Sequence, residues 1–210
     1  ARDAPTGRDV PERSAGAAAM NRMPTALRRR RSTAACCDGV TGHAGCLYGF
    51  PVATVLYPGS FDPIHNRHLE IVETASRLFG RVVVAAMRNP QKGEPLFSLS
   101  EREAILNEVL GHLDNVTITM FSSLVVDLAQ EVGADFIVKG LRAVSDFESE
   151  LQMAQMNHAI SGVDTLFIPS ASTHSFLASK LIREIARFGG NVDTMVPPAV
   201  SKRLQGKYER

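Results

Sequence analysis

From Ala53 onward, short apolar runs alternate with longer stretches in which apolar residues return every third or fourth position. Ala53-Thr54-Val55-Leu56-Tyr57 is β-branched and apolar, as a buried strand requires. Leu69, Ile71, Val72, Ala75 and Leu78 then recur at helical spacing, in a helix that begins near His65 or Asn66. Arg81 to Met87 predicts a second strand, buried on both faces, and Val116 to Met120, Phe136 to Val138 and Thr165 to Ile168 predict three more. The intervening helices carry their own punctuation. One starts from a capping box at Ser100 and Glu103, buries Ile105, Leu106 and Val109 and runs to about Leu110. The next follows the loop from Phe121 to Leu124, continues through Val132 and stops at Gly133. Another begins at Asp146 with Phe147, Leu151, Ala154 and Met156, and His158 reads as its C-terminal cap. Met153 and Met156 on it read as core or subunit interface. A further helix is entered at Ser175 or Phe176 and ends at Gly189-Gly190, and a short one starts at Pro197-Pro198. Five strands alternating with helices make an α/β protein with a doubly wound five-stranded parallel sheet.

Residues 1–50 break this pattern. They hold no lasting hydrophobic period, and eight arginines stand there against four acids, so we expect a disordered basic extension before a folded domain over 51–210. Arg28 to Arg31 followed by Ser32 and Thr33 fits a transit peptide, although an upstream extension explains the composition as well. All three cysteines, Cys36, Cys37 and Cys46, fall in this stretch without metal or disulfide spacing. The remainder has fifteen basic against eighteen acidic residues, a near-neutral balance that argues against a nucleic-acid binder. No run of about 18 apolar residues predicts a membrane span.

Chemistry gathers where strands end. Pro58-Gly59 breaks the first strand, Asp62-Pro63 forces a turn, and the following helix points its positive end at the gap, which makes an anion site. His65 and His68, three residues apart, share one face of that helix's first turn and can donate to a phosphate; a cap and a surface histidine would look the same in sequence. Lys139-Gly140-Leu141-Arg142 ends the fourth strand, where a turn at Gly140 frees backbone amides for close approach and the cations can grip phosphate oxygens. Glu148 and Glu150 open the next helix, where acids also suit the dipole. Ser170 to Phe176 is a hydroxyl-rich entry to a helix. No P-loop, dinucleotide fingerprint or Ser-His-Asp arrangement is present.

Pro58-Gly59-Ser60-Phe61-Asp62-Pro63 with His65-x-x-His68, then Lys139 to Arg142, Asp146-Phe147-Glu148-x-Glu150-Leu151-Gln152 and His174-Ser175-Phe176, resembles the nucleotidylyltransferases, and among them the phosphopantetheine adenylyltransferase family. The resemblance spans about residues 53 to 205 and implies a Rossmann-like nucleotidylyltransferase fold. It implies transfer of the adenylyl group of ATP to 4′-phosphopantetheine, with Mg2+ accompanying ATP. His68 is the implied catalytic donor; Ser60, Phe61, His65, His68, Gly140, Leu141, Arg142, Glu150, His174, Ser175, Phe176, Ser179 and Lys180 would contact ATP. Ser60, Lys92, Val125 and Lys139 would meet the acceptor, and Leu124 with Val125 equally well closes a helix onto the sheet. A cytoplasmic homohexamer is further implied. Two departures alter the picture. Arg67 replaces the family's glycine, and Ala178-Ser179-Lys180 replaces its serine run. Arg67 would obstruct the nucleotide, point to solvent or add a cation, and a working but altered site is the expected result. Another phosphate acceptor, such as nicotinamide mononucleotide, and nucleotide binding without turnover are the alternative readings.

Overall fold

The computed structural model describes residues 52–88, 93–141, 144–170 and 172–208. The expectations for residues 1–50, Lys92 and Arg142 therefore lie outside the described residues. The elements follow in the order β1 (Thr54–Gly59), α1 (Asn66–Leu78), β2 (Arg81–Met87), α2 (Leu99–Leu110), β3 (Val116–Phe121) and α3 (Val125–Glu131). Then come β4 (Phe136–Leu141), α4 (Val144–Ser161), β5 (Asp164–Pro169), a 3-10 turn (Ser172–His174), α5 (Ser179–Arg187) and α6 (Pro198–Tyr208).

All four strand pairings are parallel, and the strand order is β3-β2-β1-β4-β5. The predicted sheet is thus present, and its order reverses between β1 and β4. Ligands of open parallel sheets bind outside the strand ends at such a switch point. Here the two strands part early. Their register holds only Val55 with Phe136 and Leu56 with Ile137, whereas β1 stays paired to β2 through Gly59 and β4 to β5 through Leu141. Pro58, which has no N–H to donate, stands two residues beyond the last β1–β4 pair.

Alternating side chains send Val55, Tyr57, Val82, Val84 and Val138 to one face of the sheet, where Ile71, Ile105, Leu106, Ile182 and Leu204 of α1, α2, α5 and α6 cover them. Leu56, Val83 and Ile137 face the other way, onto Leu128 and Ala129 of α3. Burying a Leu or Ile side chain in this way contributes about 2 kcal/mol, so both layers are needed to hold the sheet.

Several boundaries differ from expectation for identifiable reasons. The α2 cap is Ser98, whose side chain accepts from Glu101 N at 3.2 Å while Glu101 accepts from Ser98 N at 2.7 Å. Ser100 and Glu103 have the same spacing, but starting at Ser98 places the fully buried Phe97 just before the cap, fixing the entry of the chain. His158 does not end α4; it pairs with Asp164 at 2.9 Å, and the helix continues to Ser161, beyond which Gly162 takes the left-handed conformation at φ 73°. Met153 and Met156 are about half exposed rather than core, on the same side of α4 as exposed Ile160. The helix after β5 begins at Ser179 instead of Ser175 or Phe176, because a 3-10 turn takes up residues 172–174.

Candidate active site

The turn between β1 and α1 is built around Phe61. Its backbone is left-handed (φ 44°), and the ring folds back over Gly59, where an added Cβ would lie 2.8 Å from the Phe61 ring. Glycine at 59 is thus a steric requirement. The Phe61 ring meets His68 edge-on at 5.1 Å and Tyr57 at 5.6 Å. His65 occupies the N-cap position of α1 without a side-chain capping bond and is 1 % exposed. Its ring stacks on that of His68 with centroids 3.7 Å apart. The two histidines are therefore one unit at the positive end of a 13-residue helix.

That unit borders a cavity of about 520 Å³. Of the residues the sequence singled out, Ser60, His65, His68, Ser179 and Lys180 line it, and Arg67 faces it too. Ser179 reaches back to the turn, donating from Oγ to Pro63 O at 3.0 Å, which docks the start of α5 beside α1. Phe61 stands behind His68 as a buried support. His174 is held by Glu70 of α1 at 3.1 Å, and Phe176 is largely exposed. Val125 packs against the opposite face of the sheet, in the cluster that contains Leu128.

Lys139 and Glu150 form an ion pair at 3.5 Å, both partly exposed. Gly140 is not in a turn, contrary to expectation. It lies within β4, opposite Ile168, and a Cβ there would come within 3.0 Å of Ile71 Cγ1. Its small size serves the packing of α1 on the sheet. Leu141 ends the strand with its carbonyl accepting from both the N–H and the hydroxyl of Ser170, at 3.0 and 2.9 Å. Burial pushes the Tyr57 phenol well above its ordinary value of 10.0, with Arg67 drawing it down and Glu150 pushing it up, so both charges reach the gap between β1 and β4.

Sequence reasoning missed Arg88, Arg102 and Arg183, which also line the cavity, and gave Asp62 no role beyond the turn it makes with Pro63. Asp62 is 6 % exposed and accepts from the N–H groups of Leu96 and Phe97 at 3.0 and 2.9 Å, besides pairing with Arg183. Arg102 is 2 % exposed; burial pulls its pKa down, and the nearby Asp62 carboxylate opposes that. Its spacing offered a signal: Arg102 stands three and four residues before Ile105 and Leu106, on the buried stripe of α2. Arg67, Arg88, Arg102, Lys180 and Arg183 line the cavity beside the Asp62 carboxylate, which already accepts from two amides, so the cavity lining is predominantly cationic. Among the described residues no group of three or more His, Cys, Asp or Glu is placed to hold a metal. No helix among them is long and apolar enough to cross a membrane.

Residues 56–185 match the cytidylyltransferase-like family model. The chain is 49% identical over 154 residues to a phosphopantetheine adenylyltransferase of Gloeobacter violaceus, covering 73% of this chain and 95% of that one. It is 46% identical over 154 residues to the phosphopantetheine adenylyltransferase of Alkaliphilus oremlandii, covering 73% and 98%. In fold it is similar to a crystal structure from Vibrio parahaemolyticus described as a candidate nicotinate-nucleotide adenylyltransferase, with TM-score 0.55, 15% identity and coverage of 73% and 98%.

Proposed function

The chain belongs to the phosphopantetheine adenylyltransferase family, nucleotidyltransferases of the cytidylyltransferase-like group, and we propose that the cavity beside α1 is where ATP gives its adenylyl group to 4′-phosphopantetheine, yielding dephospho-coenzyme A and pyrophosphate. The observation that carries this placement is the stacked His65–His68 pair at the N-terminus of α1, facing a cavity rimmed by cations.

In the proposed reaction an oxygen of the acceptor's phosphate attacks the α-phosphorus of ATP. A new P–O bond forms as the bond to the bridging oxygen of the β-phosphate breaks, and that electron pair leaves on pyrophosphate. The nucleophile is already an anion, so the protein's task is positioning and charge stabilisation, without a general base. His68 donates to the α-phosphate oxygens as charge builds there, and one such donor is worth about 3 kcal/mol in the transition state. His65, stacked against it, holds the imidazole in place. Arg67, Lys180 and the start of α5 cradle the remaining phosphates, and Lys139, paired with Glu150 outside the cavity's lining, receives the acceptor phosphate together with Lys92. The Lys139–Glu150 pair is partly exposed and hence worth less than about 1 kcal/mol, so a phosphate dianion can displace the carboxylate. Magnesium accompanying ATP would supply charge neutralisation on the phosphates, alongside the cations Arg67 and Lys180 of the cavity.

The half-exposed apolar residues of α4 support assembly into a homo-oligomer, a hexamer in this reading, and the cysteine-free body suits a reducing cytoplasm. The deciding experiment mixes the protein with ATP, magnesium and 4′-phosphopantetheine and follows pyrophosphate release and product mass. A product heavier by one adenylyl group is expected. Adenylylation of a different phosphate acceptor instead, or ATP binding without pyrophosphate, sinks the proposal.

A further inference from the structure

Arg102 and Asp62 are the two most deeply buried charged side chains bordering the cavity, and the backbone groups they hold are not scattered. The Arg102 guanidinium donates from Nε to Phe97 O at 2.9 Å and from Nη1 to Ser60 O at 2.8 Å and Met87 O at 3.0 Å. Asp62 receives the N–H of Leu96 and of Phe97. Met87 and Leu96 bracket the connection from β2 to α2, and Arg88, Gly93 and Pro95 of that connection line the cavity. Ser60 borders it on the β1 side. Both ends of one cavity wall are therefore tied to the β1–α1 turn that carries the histidines, through two buried and oppositely charged groups.

We infer that Arg102 and Asp62 are positioning residues for the transfer reaction: they set the wall residues Arg88, Gly93 and Pro95, and the Ser60 carbonyl, at a fixed distance from His68. This rests on the reading of the cavity as the transfer site. Stability alone does not account for the pair, because buried charges replaced by well-packed apolar groups often leave a protein no less stable. Geometry does account for it. A planar guanidinium holds one carbonyl from Nε and two from Nη1, at fixed and separate positions that span two strand ends and the residue before a cap, whereas an ammonium offers its three donors from a single point. Displacing reacting groups by about 1 Å commonly costs on the order of a hundredfold in rate.

The test uses the full chain with Arg102→Ala and Arg102→Lys, each assayed at a temperature where circular dichroism shows the folded protein. Pyrophosphate release is measured at saturating ATP, magnesium and 4′-phosphopantetheine and expressed per folded molecule. A fall of tenfold or more in kcat for Arg102→Ala, with partial restoration by free guanidinium, is the expected result. A lowered melting temperature with kcat per folded molecule within tenfold of the unaltered protein overturns the inference, since a merely structural residue changes the amount of folded enzyme and not its turnover. Should Arg102→Ala fail to fold, Arg102→Lys is judged by the same threshold. An unaltered chain that releases no pyrophosphate counts against the transfer reading itself, whereas an active chain with indifferent variants counts against the positioning role alone.

Discussion

The imidazole of His65 lies almost parallel to that of His68, with 16° between the ring planes and 3.7 Å between centroids. A stack so close means neither ring can turn without moving the other, and Phe61 blocks the remaining edge of His68. His68→Ala is expected to lower turnover about a hundredfold, the loss that follows removal of one donor to a developing anion. His65→Ala is expected to lower it less, by about tenfold, through the freed motion of His68. Steady-state pyrophosphate release measures both, and an unchanged rate in His68→Ala would remove the residue from the mechanism.

Arg67 lines the cavity, and its charge is felt at the buried Tyr57 phenol, so it does not simply extend into solvent. As an added cation beside a polyphosphate it contributes about 1.5 kcal/mol, and Arg67→Gly is expected to weaken ATP binding about tenfold by calorimetry. Tighter binding in the glycine variant would show that the side chain obstructs the nucleotide.

Gly140→Ala tests the packing of α1 on β4. The new methyl would come within 3.0 Å of Ile71 Cγ1, and overpacking of that kind costs about 1–3 kcal/mol. The expected outcome is a lower melting temperature, partly restored by the second change Ile71→Val, which trims the opposing side chain. A melting temperature unaffected by Gly140→Ala would mean the helix shifts freely.

The Tyr57 phenol holds its proton more tightly in the folded chain than its ordinary value of 10.0. Above pH 10 the unfolded chain gives up that proton while the folded chain retains it, so this group's contribution is intact below pH 10 and stability declines as pH rises beyond it. Tyr57→Phe is expected to flatten that alkaline decline in a series of denaturant melts. Identical slopes for the two proteins would place the ionisation elsewhere.

Hydrophobic period was enough to read all five strands and the order of the helices, because strands buried on both faces leave few polar interruptions, as in Val82-Val83-Val84. The turn between β1 and α1 was legible for a related reason: glycine, proline and histidine in that order leave little choice of backbone. What escaped was long-range. Nothing local shows that Asp62 meets the amides of Leu96 and Phe97, or that Arg102 spans Ser60 and Met87, since those partners lie 15 to 42 residues away. Gly140 was misread because a glycine at a strand end suggests a turn, while the demand for space comes from Ile71, far back in the chain. The choice between Ser98 and Ser100 as cap was decided by burial of Phe97, which the repeated spacing of serine and glutamate does not reveal.

Because β1 and β4 separate after Leu56 and Ile137, the floor of the crevice consists of two ribbons that are already apart before anything enters. A guest wedged there needs no sheet to be prised open, so docking costs its own translational and rotational freedom and the ordering of side chains rather than broken strand pairing. The shape of this spot is thus set by the strands beneath, and its charge by rim side chains such as Arg67 and Lys180.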